Sequence, residues 1–149
     1  MELKAKLGKE IIIFDGAMGT VLQQRGLKAG DIPERLNIEN SEDIIDIHKS
    51  YLKAGAEILT TNTFGANALK MNDLDYPVEE VILAAVQNAR QAIIEARIDA
   101  AVALDMGPIG ELLEPMGSLE FDEAYNLYQQ QVLIGVESGA DLIHIETIS

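Results

Sequence analysis

The sequence predicts an α/β fold of repeated strand–helix units around a parallel sheet, and three observations carry that prediction. Short apolar, β-branched runs alternate with longer segments patterned at helical spacing. Each run is apolar on both faces, as a strand covered by helices requires. The segment Lys53-Ala54-Gly55-Ala56-Glu57-Ile58-Leu59 is also echoed by Glu137-Ser138-Gly139-Ala140-Asp141-Leu142-Ile143, with the second glycine 84 residues after the first. Each copy reads as a helix end, a glycine cap, an acid and an entering strand.

The elements follow in order. Ile11-Ile12-Ile13-Phe14 is the first strand and stops at Asp15-Gly16. Ser41 is placed to N-cap a helix with Glu42 and Asp43 in its first turn, where acids suit the helix dipole. Ile44, Ile47, His48, Tyr51 and Leu52 share one face of it, and Gly55 ends it. Glu57-Ile58-Leu59-Thr60-Thr61 is the second strand. Pro77 opens the first turn of the next helix, whose stripe is Val78, Val81, Ile82, Ala85, Ala89, Ala92, Ile93 and Ala96. Ala100-Ala101-Val102-Ala103-Leu104 is the third strand, ending at Asp105. A third helix runs from Phe121 to Ser138, its stripe interrupted by Gln129, Gln130 and Gln131. Asp141-Leu142-Ile143-His144-Ile145 is the fourth strand, ending at Glu146. The order β-α-β-α-β-α-β leaves two architectures, an open doubly wound sheet and a closed barrel. Asp15-Gly16-Ala17-Met18-Gly19-Thr20 lacks the G-x-G-x-x-G spacing of a dinucleotide site. Both architectures stay open on this evidence.

Composition narrows the function classes. The 149 residues suit about one domain, and 48% apolar with 24% charged residues is a globular balance. Twenty-five acids against 11 bases give a net charge of −14, which argues against nucleic acid. No run approaches the roughly 18 apolar residues of a membrane helix. The N-terminal segment has no signal-peptide core, so a cytoplasmic location is expected. The chain has no cysteine, hence no disulfide and no thiolate metal site of its own.

The chemistry should sit at the strand ends, which a parallel α/β fold gathers on one face. They are Asp15, Asn62-Thr63, Asp105 and Glu146, each polar after an apolar strand. Three carboxylates among them suggest a cationic or amine-bearing ligand. Gly16 and Gly19 would let the backbone approach that ligand. His48 reads as a packed histidine of its helix. His144, two residues before Glu146, shares a strand face with it but also reads as structural. No close group of three or four metal ligands is visible, so no metal ligand is expected in the chain.

Several blocks resemble the homocysteine S-methyltransferase family. They are Ile13-Phe14-Asp15-Gly16-Ala17-Met18-Gly19-Thr20, Glu34-Arg35-Leu36-Asn37, Ala54 through Asn67, Asp105-Met106-Gly107-Pro108-Ile109-Gly110 and Ile143-His144-Ile145-Glu146-Thr147. The resemblance covers nearly the whole chain and lies closer to the cobalamin-dependent branch than to the betaine-dependent one. It implies a (β/α)8 TIM-type barrel, with residues 1–149 forming its N-terminal half of about four βα units. It implies an enzyme that transfers a methyl group to the sulfur of homocysteine to make methionine. Asp15 and Glu146 would hold the substrate's amino acid part, with Gly16, Asn62 and Thr63 as neighbours. It also implies a zinc ion held by three cysteines, expected in the C-terminal half of the barrel, since this chain ends at Ser149 without cysteine. No residue here is therefore expected to be catalytic, and the chain alone is expected to be inactive. Methylcobalamin and folate would belong to other domains of a full-length enzyme. The rival reading is a non-catalytic half-barrel binding or assembly module that self-associates through exposed sheet edges.

Overall fold

The computed structural model describes residues 3–148; Met1, Glu2 and Ser149 lie outside the described residues. Three strands form one sheet in chain order: β1 (Ile58–Thr60), β2 (Ala101–Met106) and β3 (Leu142–Ile145). Both pairings are parallel, with Leu59 opposite Val102 and Leu104 opposite Ile143. The predicted first strand is present only as a single parallel bridge, Phe14 to Ile58. Its backbone still bonds to β1, for the Ile13 carbonyl accepts Glu57 N–H at 2.8 Å and Asp15 N–H donates to the Ile58 carbonyl at 2.9 Å. Ile11 is 89% exposed and Ile13 54%, so little packing extends that pairing into a full strand.

Among the described residues six helices flank the strands: α1 (Leu3–Lys6), α2 (Met18–Gln24), α3 (Leu36–Glu39), α4 (Ser41–Ala54), α5 (Val78–Ala96) and α6 (Phe121–Glu137), with a 3-10 turn at Pro33–Arg35. Helix α4 packs on α5 and α5 on α6; α4 also meets β1, while α5 and α6 meet β2. Sequential strand order with same-handed crossovers keeps successive helices on one side of the sheet. A doubly wound sheet would reverse its strand order at a switch point. The order β1-β2-β3 has no reversal, so the topology is of the barrel type.

The predicted periodicities explain the packing. Helix α5 buries Val81, Ile82, Ala85, Val86, Ala89 and Ala92. Its alanines let it lie close to the sheet, where Leu59, Val102, Val86, Ala89 and Leu52 share one cluster. Ser41 lies inside α4; the N-cap is Asn40, whose amide donates to Asp43 at 2.6 Å. Pro77 is likewise the N-cap of α5 and not a residue of its first turn. Gln131, which seemed to interrupt the α6 stripe, is buried and donates to the Ala66 carbonyl at 2.6 Å. It ties α6 to the loop after β1.

The sequence echo has a third copy between its two ends. Gly55 caps α4 at φ 106° and Gly139 follows α6 at φ 92°, both left-handed. Arg97 caps α5 at φ 55°, 42 residues from each glycine, and Arg97-Ile98-Asp99 repeats the cap–apolar–acid order. In the outer copies the acid reaches back to the preceding strand. The Glu57 carboxylate accepts Ile13 N–H at 3.3 Å, and that of Asp141 accepts Val102 N–H at 2.7 Å. Each acid also pairs with a base, Glu57 with Lys6 and Asp141 with Arg90. Gly55→Ala is expected to lower stability by about 1–2 kcal/mol, the cost of a left-handed L-residue. Arg97→Gly is expected to raise it by less than about 1 kcal/mol, since the relieved strain is offset by the freer unfolded chain. Urea denaturation of the two variants checks both signs.

Candidate functional site

The parallel strands bring their C-terminal ends to one face, and a cavity of about 840 Å³ opens there. Asp15, Gly16, Asn62, Thr63 and Glu146, the five residues expected to bind substrate, all line it, together with Asp105, His144, Glu34 and Lys70. The lining holds five carboxylates, Asp15, Asp31, Glu34, Asp105 and Glu146, against one lysine. That balance suits a cationic group.

Asp15 is fixed by β1. Its carboxylate accepts the Thr60 N–H at 3.0 and 3.1 Å and the Thr60 hydroxyl at 2.8 Å. Burial pushes its pKa up to about 6 against the opposing pull of those bonds. Behind it, His48 Nδ1 stands 3.9 Å from Asp15 Oδ2 in a fully buried position. Burial lowers the His48 pKa to about 4, so the imidazole is neutral and the contact is not an ion pair. The prediction of a packed histidine holds. Gly16 answers to packing: a Cβ there would lie 2.8 Å from the Tyr51 ring, whose hydroxyl donates to the Ala17 carbonyl at 3.1 Å. A Cβ at Gly19 would meet nothing within 4 Å.

Asn62 and Thr63 line the cavity, but their side-chain donors are committed to the scaffold. The Asn62 amide donates to the Pro33 carbonyl at 2.8 Å, and Thr63 Oγ1 donates to the Asp105 carbonyl at 2.7 Å. Asn37 donates to the Asn62 carbonyl at 2.8 Å and Asn88 to the Asn37 carbonyl at 2.9 Å. Three amides thus string α5, α3 and the loop after β1 together. Thr61 and Thr63 hydroxyls meet at 2.6 Å, and Asp105 N–H donates to Thr61 Oγ1 at 3.1 Å.

The centre of the site brings together groups that sequence reading named only one by one. Asp105 and His144 are register partners across β2 and β3, and Asp105 Oδ1 lies 3.3 Å from His144 Nδ1. With Glu146 they offer ligand atoms all within 4.8 Å of one another. No such proximity was visible in the sequence, because strand pairing supplies what sequence separation conceals. Burial, then the neighbouring Glu146 carboxylate, pushes Asp105 up to about 7. Glu34 is 4% exposed, accepts Gly65 N–H at 2.6 Å and is raised by burial. It sits in the 3-10 turn Pro33–Arg35, away from any strand end, so although its block carries the family resemblance, its local pattern gave it no role. Lys70 Nζ sits 5.3 Å from the centroid of the Phe64 ring, at the same rim.

Asp15 and His48 respond to acid with opposite signs. Asp15 has a raised folded pKa, so its contribution favours the fold below about pH 3.8 and is lost as pH rises through about 6. His48 has a lowered one, so its contribution is present above about pH 6.5 and lost as pH falls through about 4. Asp15→Asn removes the first and leaves the second. Between pH 3.5 and 7 its stability relative to wild type is expected to improve by about 3 kcal/mol, from about 1.4 kcal/mol per pKa unit. Paired urea titrations at the two pH values measure that change, and a constant gap would show that the carboxyl titrates normally.

Comparison with known proteins places this geometry. Methionine synthase of Mycobacterium leprae (strain TN) is 32% identical over 162 residues, covering 98% of this chain and 13% of that protein. The homocysteine methyltransferase MmuM from Escherichia coli in its oxidized form superposes with a TM-score of 0.81 at 28% identity, over 98% of this chain and 56% of that one. Its metallated form gives a TM-score of 0.81 at 26% identity, over 57% of that chain. This chain therefore spans just over half of the E. coli enzyme and a small share of the synthase. Its fold is of the (β/α)8-barrel type with about four βα units present, the first strand reduced to its bridge. The profile of the homocysteine S-methyltransferase family matches residues 12–149, and the chain belongs to that family.

Proposed function

We propose that this chain is the homocysteine-holding part of a methyltransferase domain that moves a methyl group onto the substrate sulfur to give methionine. The excess of carboxylates at the strand-end cavity carries the reading. An amino acid presents one ammonium group, and a carboxylate beside it forms a charge-assisted hydrogen bond. Asp15 is held rigidly by Thr60, so it offers its remaining lone pairs in a fixed direction. Glu146, at the end of β3, is the second arm. Asn62 and Thr63 act through the backbone they hold in place. The role of these residues is to bind and orient the substrate so that its sulfur is presented in one direction.

A zinc ion belongs to the same reading, through the family resemblance and the metallated E. coli relative. A bound zinc would keep the thiol deprotonated. Three cysteines are the ligands the family implies, and these 149 residues contain none, so the chain does not fit that group. Methylcobalamin as donor, folate as its source and further domains that carry them rest on the resemblance and on the methionine synthase relative. A cytoplasmic location is part of the same proposal; among the described residues no helix is long and apolar enough to cross a membrane.

A self-associating module is the second reading, and one observation favours it. β3 has a strand neighbour on one side only among the described residues, with Ile145 63% exposed beside that free edge. Calorimetric titration of homocysteine tests the first reading, and the oligomeric state of the purified chain tests the second. The wild-type chain should bind, and Glu146→Gln should bind about ten- to a hundredfold more weakly, from roughly 1.5–3 kcal/mol per charged hydrogen bond. Glu80→Gln, on the exposed side of α5, should bind as wild type. Equal affinity in a folded Glu146→Gln chain would remove Glu146 from the site.

A further inference from the structure

We propose that Asp105, His144 and Glu146 form a binding site for one first-row divalent transition-metal ion. It is separate from the cysteine-held zinc of the family and goes beyond the homocysteine reading. Three observations converge on it. The ligand atoms of the three residues lie within 4.8 Å of one another at the ends of β2 and β3. Asp105 is only 7% exposed, and its Oδ1 faces His144 Nδ1 at 3.3 Å with neither atom in a hydrogen bond. Both residues line the cavity, and the two unpartnered atoms face each other just beneath its surface, closed to solvent. A carboxylate and an imidazole sharing a proton would close to about 2.7–2.9 Å. The wider contact leaves two lone pairs directed at one region. Two ligands each about 2.1 Å from a common ion, at angles between octahedral and tetrahedral, lie roughly 3.0–3.4 Å apart. The pair has that spacing, and Glu146 is within reach as the third donor.

The charge of the cavity points the same way. Asp15, Asp31, Glu34, Asp105 and Glu146 face a single Lys70. A zwitterionic amino acid brings one positive and one negative group and leaves that excess unchanged. A divalent cation lowers it by two. The donor set of one imidazole nitrogen and two carboxylates selects among cations. Magnesium and calcium prefer all-oxygen shells, whereas imidazole suits zinc, iron and nickel. Asp105 is the buried anchor, and His144 confers the preference for a transition metal. The open cavity leaves room for water to complete the coordination shell. The ion and a substrate ammonium would compete for Glu146, so the site is best measured with no amino acid present.

Zinc chloride titrated into the metal-stripped chain provides the test, by calorimetry and by elemental analysis after gel filtration. One zinc per chain is expected. Asp105→Asn and His144→Leu should each weaken binding by roughly tenfold or more. Glu80→Gln should bind as wild type, and magnesium should bind at least about tenfold more weakly than zinc. His144 is half-buried on an outer strand, so His144→Leu keeps the fold, and far-ultraviolet circular dichroism verifies it. Absence of zinc binding would overturn the proposal. So would zinc binding that His144→Leu leaves unchanged, since surface carboxylates would then be the ligands. Neither result depends on whether homocysteine binds.

Discussion

The contact between Asp15 and Thr60 is the constraint on which the open face depends. The segment before Asp15 has one bridge to the sheet and exposed isoleucines, so apolar packing holds it weakly. Thr60 binds the Asp15 carboxylate with its amide and its hydroxyl, and that junction fixes where the loop into α2 begins. The loop in turn forms one wall of the cavity. A carboxylate buried there is costly, as its raised pKa records. Local stability is thereby exchanged for a charged group held in place, a common arrangement at functional sites.

The loop after β1 buries Ala66 and Met71 in an apolar cluster, and polar groups organise its rim. Asn37, Asn62 and Asn88 each donate to a backbone carbonyl of another element. Hydroxyls of Thr61 and Thr63 bridge the ends of β1 and β2. Buried amides and hydroxyls of this kind have few satisfactory alternatives, so they specify one loop geometry where greasy contacts would allow several. The apolar clusters beneath supply the bulk of the burial, and the polar layer sets the coordinates of the rim.

Much of the architecture was legible because α4, α5 and α6 are long enough to show a period and β1 to β3 are short and apolar. The first strand was misjudged in extent, since an apolar run has the same composition whether or not packing lets it pair along its length. Helices α2 and α3, of seven and four residues, are too short to show a periodic stripe. Asp15, Asn62, Thr63 and Glu146 could be singled out as candidates because strand ends are locally marked, and the structure places them around one cavity. The place of Glu34 at that cavity and the facing of Asp105 and His144 could not, because they arise from chain segments that meet only on folding. Arg97 hid the middle repeat, for the left-handed cap there is made by a residue that gives no sign of it.

The sign of the cavity's charge also limits what can approach from outside. In the methyl transfer proposed above, the methyl group would arrive attached to a carrier, and that carrier would have to enter a mouth walled by carboxylates. At physiological ionic strength such a field decays within about 8 Å. Long-range attraction or repulsion of the carrier as a whole is therefore weak. Selection falls on the surface it presents at the last step, where anionic groups are turned away and neutral or cationic ones pass. A donor with a strongly acidic body can still serve, provided the face that delivers the methyl group is not acidic itself.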